Sequence, residues 1–69
     1  MQNEQETIFN AICVHRGMVK KIKVVRRRTY YEIWIIDDWG KRLWEITPYD
    51  PTSEVKKSFR IIKVLGENH

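Results

Sequence analysis

The sequence predicts a mostly β domain: four to five short antiparallel strands curling into a small barrel or a strongly twisted sheet. Three observations lead there. The stretch from Tyr30 to Asp37 is almost wholly aromatic or β-branched. Apolar and polar residues alternate with period two in the segments on either side of it. Turn signals fall at short intervals, at Arg16-Gly17, at Asp37-Asp38-Trp39-Gly40 and at Pro48-Tyr49-Asp50-Pro51. The alternative is α+β, a four-stranded meander with one C-terminal helix.

Taken in order, Met1 to Thr7 is polar and reads as a flexible tail ahead of a single small domain over residues 8–66. Ile8 to His15 is apolar and branched, a first strand. Gly17 supplies the positive φ of the following turn. Val19 to Arg27 alternates, with Ile22 and Val24 on one face and Lys21, Lys23 and Arg27 on the other beside Val19 and Val25. In the next strand Tyr31, Ile33 and Ile35 share one face, and Tyr30, Glu32, Trp34 and Ile36 share the other. After the Asp37–Lys41 hairpin, Arg42 to Thr47 returns with Trp44 and Ile46 pointing one way and Leu43, Glu45 and Thr47 the other. Proline then ends the ladder. The last segment supports two readings. Asp50 could cap a helix with Pro51 at its first position, Val55, Phe59, Ile62 and Leu65 as its buried stripe and Gly66 as its stop. Phe59 to Leu65 reads equally as a β-branched strand, which is the preferred reading.

Composition narrows the class. Sixty-nine residues, 42% hydrophobic and 32% charged, fit one soluble domain. The longest apolar run, Ile33 to Ile36, is far too short to cross a bilayer, and no membrane partner is expected. The polar N-terminus resembles neither a signal nor a transit peptide. A lone cysteine, Cys13, forms no internal bridge, so a reducing cytoplasm is the expected compartment. A core this small also makes a homo-oligomer an expected state.

Charge is the sharpest functional signal. Seven of the thirteen basic residues lie between Arg16 and Arg28 with no acid among them, in a chain of net charge +4. Such concentration marks a polyanion partner. It can also protect a solvated edge strand, although three consecutive arginines exceed that need. Directly after it come Tyr30, Tyr31 and Trp34. Tyr30 and Trp34 share a strand face and can stack bases, whereas Tyr31 and Trp44 are expected in the core. Trp34 serves either role, and Trp39 at the hairpin tip is expected to be exposed.

From Arg26 to Val64 the letters follow a further pattern. Arg26-Arg27-Arg28 precedes the Tyr30 strand, and Trp39-Gly40-Lys41-Arg42 makes a hairpin. Trp44-Glu45-Ile46 and a Tyr49-Asp50 corner follow, and Phe59-Arg60-Ile61-Ile62-Lys63-Val64 closes the stretch. This resembles the WYL domain, an Sm-like small β-barrel of bacterial transcription regulators. Glu45 stands where that family has Tyr, and Ile62 where it has Asp. The resemblance implies a basic face that binds nucleic acid or a nucleotide-like ligand, with Arg60 and Lys63 joining it.

No catalytic set assembles. Asp37, Asp38 and Glu45 could meet at one hairpin end, but the turn itself accounts for the paired aspartates. Cys13 and His15 share a strand face, too few ligands for zinc and without the third group a nucleophilic pair needs. No enzyme activity, metal or cofactor is expected. The expected function is non-catalytic binding of RNA or single-stranded DNA. Lys21, Lys23, Arg26, Arg27 and Arg28 would track phosphates, and Tyr30 and Trp34 would stack bases. The alternative is a small basic inhibitor or interaction protein, of the kind phages and mobile elements encode, that docks on an acidic protein surface.

Overall fold

Tight turns and bulges set the register of this chain, and the register decides which side chains meet. The computed structural model describes residues 5–68, so residues 1–4 of the expected tail lie outside the described residues. Five strands form one antiparallel sheet: β1 (Glu6–His15), β2 (Met18–Arg26), β3 (Tyr31–Asp37), β4 (Gly40–Thr47) and β5 (Arg60–Glu67). The helix α1 (Thr52–Ser58) joins β4 to β5. Strand order is β4-β3-β2-β1-β5, so the first four strands meander and β5 returns beside β1.

The turns follow their chemistry. His15 pairs with Met18 across a two-residue turn in which Arg16 and Gly17 have φ of 56° and 77°. Two positive φ values match the right-handed twist of the flanking strands. In the β3–β4 hairpin Asp37 Oδ1 accepts the Trp39 N–H at 2.9 Å, and Gly40 takes φ 128°.

Three sequence expectations change. The sheet begins two residues earlier than expected, because Glu6 and Thr7 pair with Arg26 and Val25. The last segment holds a helix and a strand in succession. Asp50 Oδ1 accepts the Thr52 N–H at 2.9 Å and the Thr52 hydroxyl at 2.6 Å, and the Pro51 carbonyl accepts the Val55 N–H at 2.8 Å. The helix closes at Phe59, whose backbone is already extended, and β-branched residues carry the chain on as β5. Of the expected stripe, Val55 within the helix and Phe59 just after it are buried, whereas Ile62 and Leu65 stand exposed on an edge strand. Gly66 lies inside β5 opposite Asn10, where an added Cβ would sit 3.2 Å from the Asn10 amide nitrogen.

The third change concerns β4. A bulge between Ile33 and Trp34 pairs Ile33 with Glu45 but Trp34 with Leu43. The extra residue resets the alternation. Ile46, opposite Glu32, and Leu43 then share one face, and Trp44 turns to the other.

Opposed residues of a ladder share a face, so the core reads directly from the register. Phe9, Val24 and Ile33 form one row, and Ala11, Ile22 and Ile35 the next. Cys13 follows, and α1 lays Val55 and Phe59 over all of them. Each large side chain buried here contributes about 1.5–3 kcal/mol. Trp44 was expected in the core; it remains 40% exposed and closes one end of it. Its ring centroid lies 5.0 Å from that of His15 and 5.8 Å from that of Phe59. In a flat sheet β4 and β1 would be about 14 Å apart, three strand spacings. The sheet is thus strongly curled, with Trp44, His15 and Phe59 drawing its two sides together, while β4 and β5 remain as edges without a ladder between them.

Candidate nucleic-acid interface

The helix covers one face of the sheet and leaves the other open. Across that open face one row runs through all five strands. Lys63 of β5 opposes Ile12 of β1, which opposes Lys21 of β2, then Ile36 of β3, then Lys41 of β4. Lysine and isoleucine alternate, so cations recur at every second strand, about 10 Å apart. The neighbouring row is Gly66, Asn10, Lys23, Trp34 and Leu43. On the other side Arg60 opposes Val14, which opposes Val19.

The strand acids fall almost wholly on the helix-covered side. Glu6 opposes Arg26, Glu45 opposes Ile33, Glu67 opposes Phe9 and Asp37 opposes Gly40. The exception is Glu32, which is 6% exposed and already engaged. Its Oε1 accepts Arg27 Nε at 2.8 Å and Trp34 Nε1 at 3.0 Å. Burial pushes the Glu32 carboxyl up. The hydrogen bonds from Trp34 and Arg27 and the Arg27 charge outweigh that push, so the net shift is downward. Glu32 therefore works as a brace. It fixes the Trp34 indole and the Arg27 guanidinium, whose Nη1 also reaches Gln5 Oε1 at 2.8 Å. Lys41 Nζ sits 5.9 Å from the centre of the Trp34 ring, a cation–π distance.

The residues singled out from the sequence divide as follows. Lys21, Lys23, Trp34, Arg60 and Lys63 share the open face, and Arg27 joins them through Glu32. Arg26 faces the other way, opposite Tyr31, and pairs with the Glu6 carboxylate. Arg28 and Tyr30 lie in the β2–β3 turn, which the Arg27 N–H closes on the Tyr30 carbonyl at 2.8 Å. Tyr30 is four residues from Trp34, about 13 Å of extended chain, which suits separated bases rather than adjacent ones. Lys41 escaped the sequence reading because it was assigned to the turn. Carrying the alternation of Ile36 across the hairpin would have found it.

The remaining candidates do not converge. Asp37 serves its own turn, and Glu45 lines a cleft against α1. Among the described residues no three His, Cys, Asp or Glu side chains gather as metal ligands would. Cys13 is buried, and burial raises its thiol although Lys20 opposes the rise. His15 is pushed down by burial and further by the charges of Lys20, Arg16 and Arg42. No helix among the described residues is long and apolar enough to cross a membrane.

The chain matches no protein-family model, no curated protein and no solved structure.

Proposed function

We propose that this protein binds single-stranded nucleic acid, RNA or DNA, on the open face of its sheet and without catalysis. The observation that carries the reading is the lysine row through Lys63, Lys21 and Lys41, on a face whose one buried strand acid is neutralised by Arg27. A row of ammonium groups contacts phosphates through counterion release. Trp34, held by Glu32 and flanked by Lys23 and Lys41, offers a ring among them. The open face presents strands and no helix to enter a major groove, which favours a single strand over a duplex. The WYL-like pattern points to the same class of ligand. The test is an electrophoretic titration with a short single strand. Lys21→Ala combined with Lys63→Ala is expected to weaken binding at least tenfold while leaving the fold intact; unchanged affinity would refute the site.

A second reading, an inhibitor or interaction protein on an acidic surface, draws on one observation. Ile12, Val14 and Ile36 interleave the cations and are only half-buried, a mixed surface that also suits a protein partner. A pull-down in which the partner survives nuclease treatment would favour it. The two open edges, with Ile46 on β4 and Ile62 on β5 exposed, would accept a second copy, which sedimentation at rising concentration tests. The unpaired Cys13 thiol fits a reducing cytoplasm.

A further inference from the structure

A second cationic feature lies away from the open face. A cleft of about 450 Å³ opens between the start of β2 and the β3–β4 hairpin, lined by Lys20, Lys41, Arg42, Asp37, Trp39 and Met18. Lys20 is its most unusual member. It projects from the helix-covered side of β2 opposite Cys13 and is 7% exposed. No carboxylate lies within ion-pair distance of it among the described residues. Lys20 thus brings to the cleft a positive charge that no carboxylate among the described residues neutralises. The charges of Lys20, Arg16 and Arg42 all bear on His15, so three cations gather at this end of the sheet. The one acid in the cleft, Asp37, has Oδ1 committed to the Trp39 N–H. Trp39 stands at the mouth with 80% of its surface exposed.

We propose that this cleft binds a nucleotide phosphate, with Lys20 as a point-charge donor, Arg42 as a two-pronged donor and Trp39 as a surface for the attached base; the Lys41 ammonium lies across the sheet against Trp34 and takes no part. A phosphomonoester fits better than a carboxylate, because its higher charge and three terminal oxygens can meet the Lys20 ammonium and both prongs of the Arg42 guanidinium. An exposed indole beside the phosphate adds stacking. The ligand is either the terminal phosphate of a strand or a free mononucleotide. Only the first source rests on the open-face reading, since the cleft's own lining makes the argument for phosphate.

The test follows the Trp39 indole and Arg42 guanidinium resonances of isotope-labelled protein. The probes are adenosine monophosphate, a short single strand with a terminal phosphate, and the same strand ending in hydroxyls. The proposal expects the mononucleotide or the phosphorylated strand to shift both resonances saturably. It also expects Arg42→Ala, at an exposed position, to weaken that binding about tenfold, as loss of one charge-assisted contact should. Lys20→Met keeps the buried stem and is expected to do the same. A phosphorylated strand that binds more tightly than both other probes assigns the strand terminus. A mononucleotide that binds while the hydroxyl strand does not assigns the free nucleotide, and it sinks the open-face reading while the cleft stands. If neither phosphate-bearing probe moves Trp39 and Arg42, or if Arg42→Ala leaves their binding unchanged, the proposal is wrong.

Discussion

Glu32 shows how one side chain can organise a surface of the opposite charge. Its carboxylate is nearly sealed, yet two donors hold it ionised. A carboxyl held below its ordinary value adds stability that is complete above that value and is lost as pH falls through the folded-state value. His15 acts at a higher pH. Burial and the neighbouring cations hold its imidazole below its ordinary 6.5, so the stability this group contributes is complete above 6.5 and is lost as pH falls from there through the lower folded-state value. Acid unfolding is therefore expected to show two limbs, one beginning near 6.5 and one below the ordinary carboxylate range. His15→Gln should remove the first and Glu32→Gln the second, with stability followed by circular dichroism across pH. Glu32→Gln should also cost about 1–3 kcal/mol by weakening a buried charge-assisted pair. A single limb unaffected by either change would contradict this assignment. The sequence showed Glu32 only as a polar residue alternating with Tyr30 and Trp34. Its role depends on Arg27 folding back from the β2–β3 turn, which no periodicity encodes.

At the scale of elements, the strands and turns were legible because each rests on local chemistry. Gly17, Asp37 and Gly40 mark turns whatever the rest of the chain does, and Tyr30 to Asp37 alternates as a half-buried strand must. The helix-or-strand ambiguity after Pro51 had a local cause. One segment holds both a capped helical turn and a β-branched run, and Phe59 ends the first while anchoring the second in the core. The faces of Trp44 and Ile46 were not legible, since a bulge moves alternation by one residue without a reliable sequence mark. Two outcomes follow. Phe59→Ala, which empties the space beneath α1 and beside Trp44 and His15, is expected to cost about 3–5 kcal/mol. That is most of the stability of a domain this small, so thermal melting should show a large drop. Gly17→Val, placed at φ 77° with open space around it, should cost on the order of 1 kcal/mol through backbone strain alone.

The whole molecule separates its charge by face. The sequence revealed a basic stretch but treated it as one block from Arg16 to Arg28. The register splits that block. Lys21 and Lys23 face the open side, Arg26 turns to Glu6, and Lys20 enters a cleft of its own. Lys63, Arg60 and Lys41 come from distant parts of the chain to complete the open face. Long-range pairing therefore makes the surface, and only a folded chain displays it. The most direct measurement is the slope of log affinity against log salt for a short single strand, read by tryptophan fluorescence. Each phosphate neutralised should contribute about −0.7 to that slope, so the row of Lys21, Lys41 and Lys63 alone predicts about −2. Replacing Lys21 with alanine should reduce it by about 0.7. A slope near zero, or one that Lys21→Ala and Lys63→Ala leave untouched, would contradict the account and turn attention to an acidic protein partner.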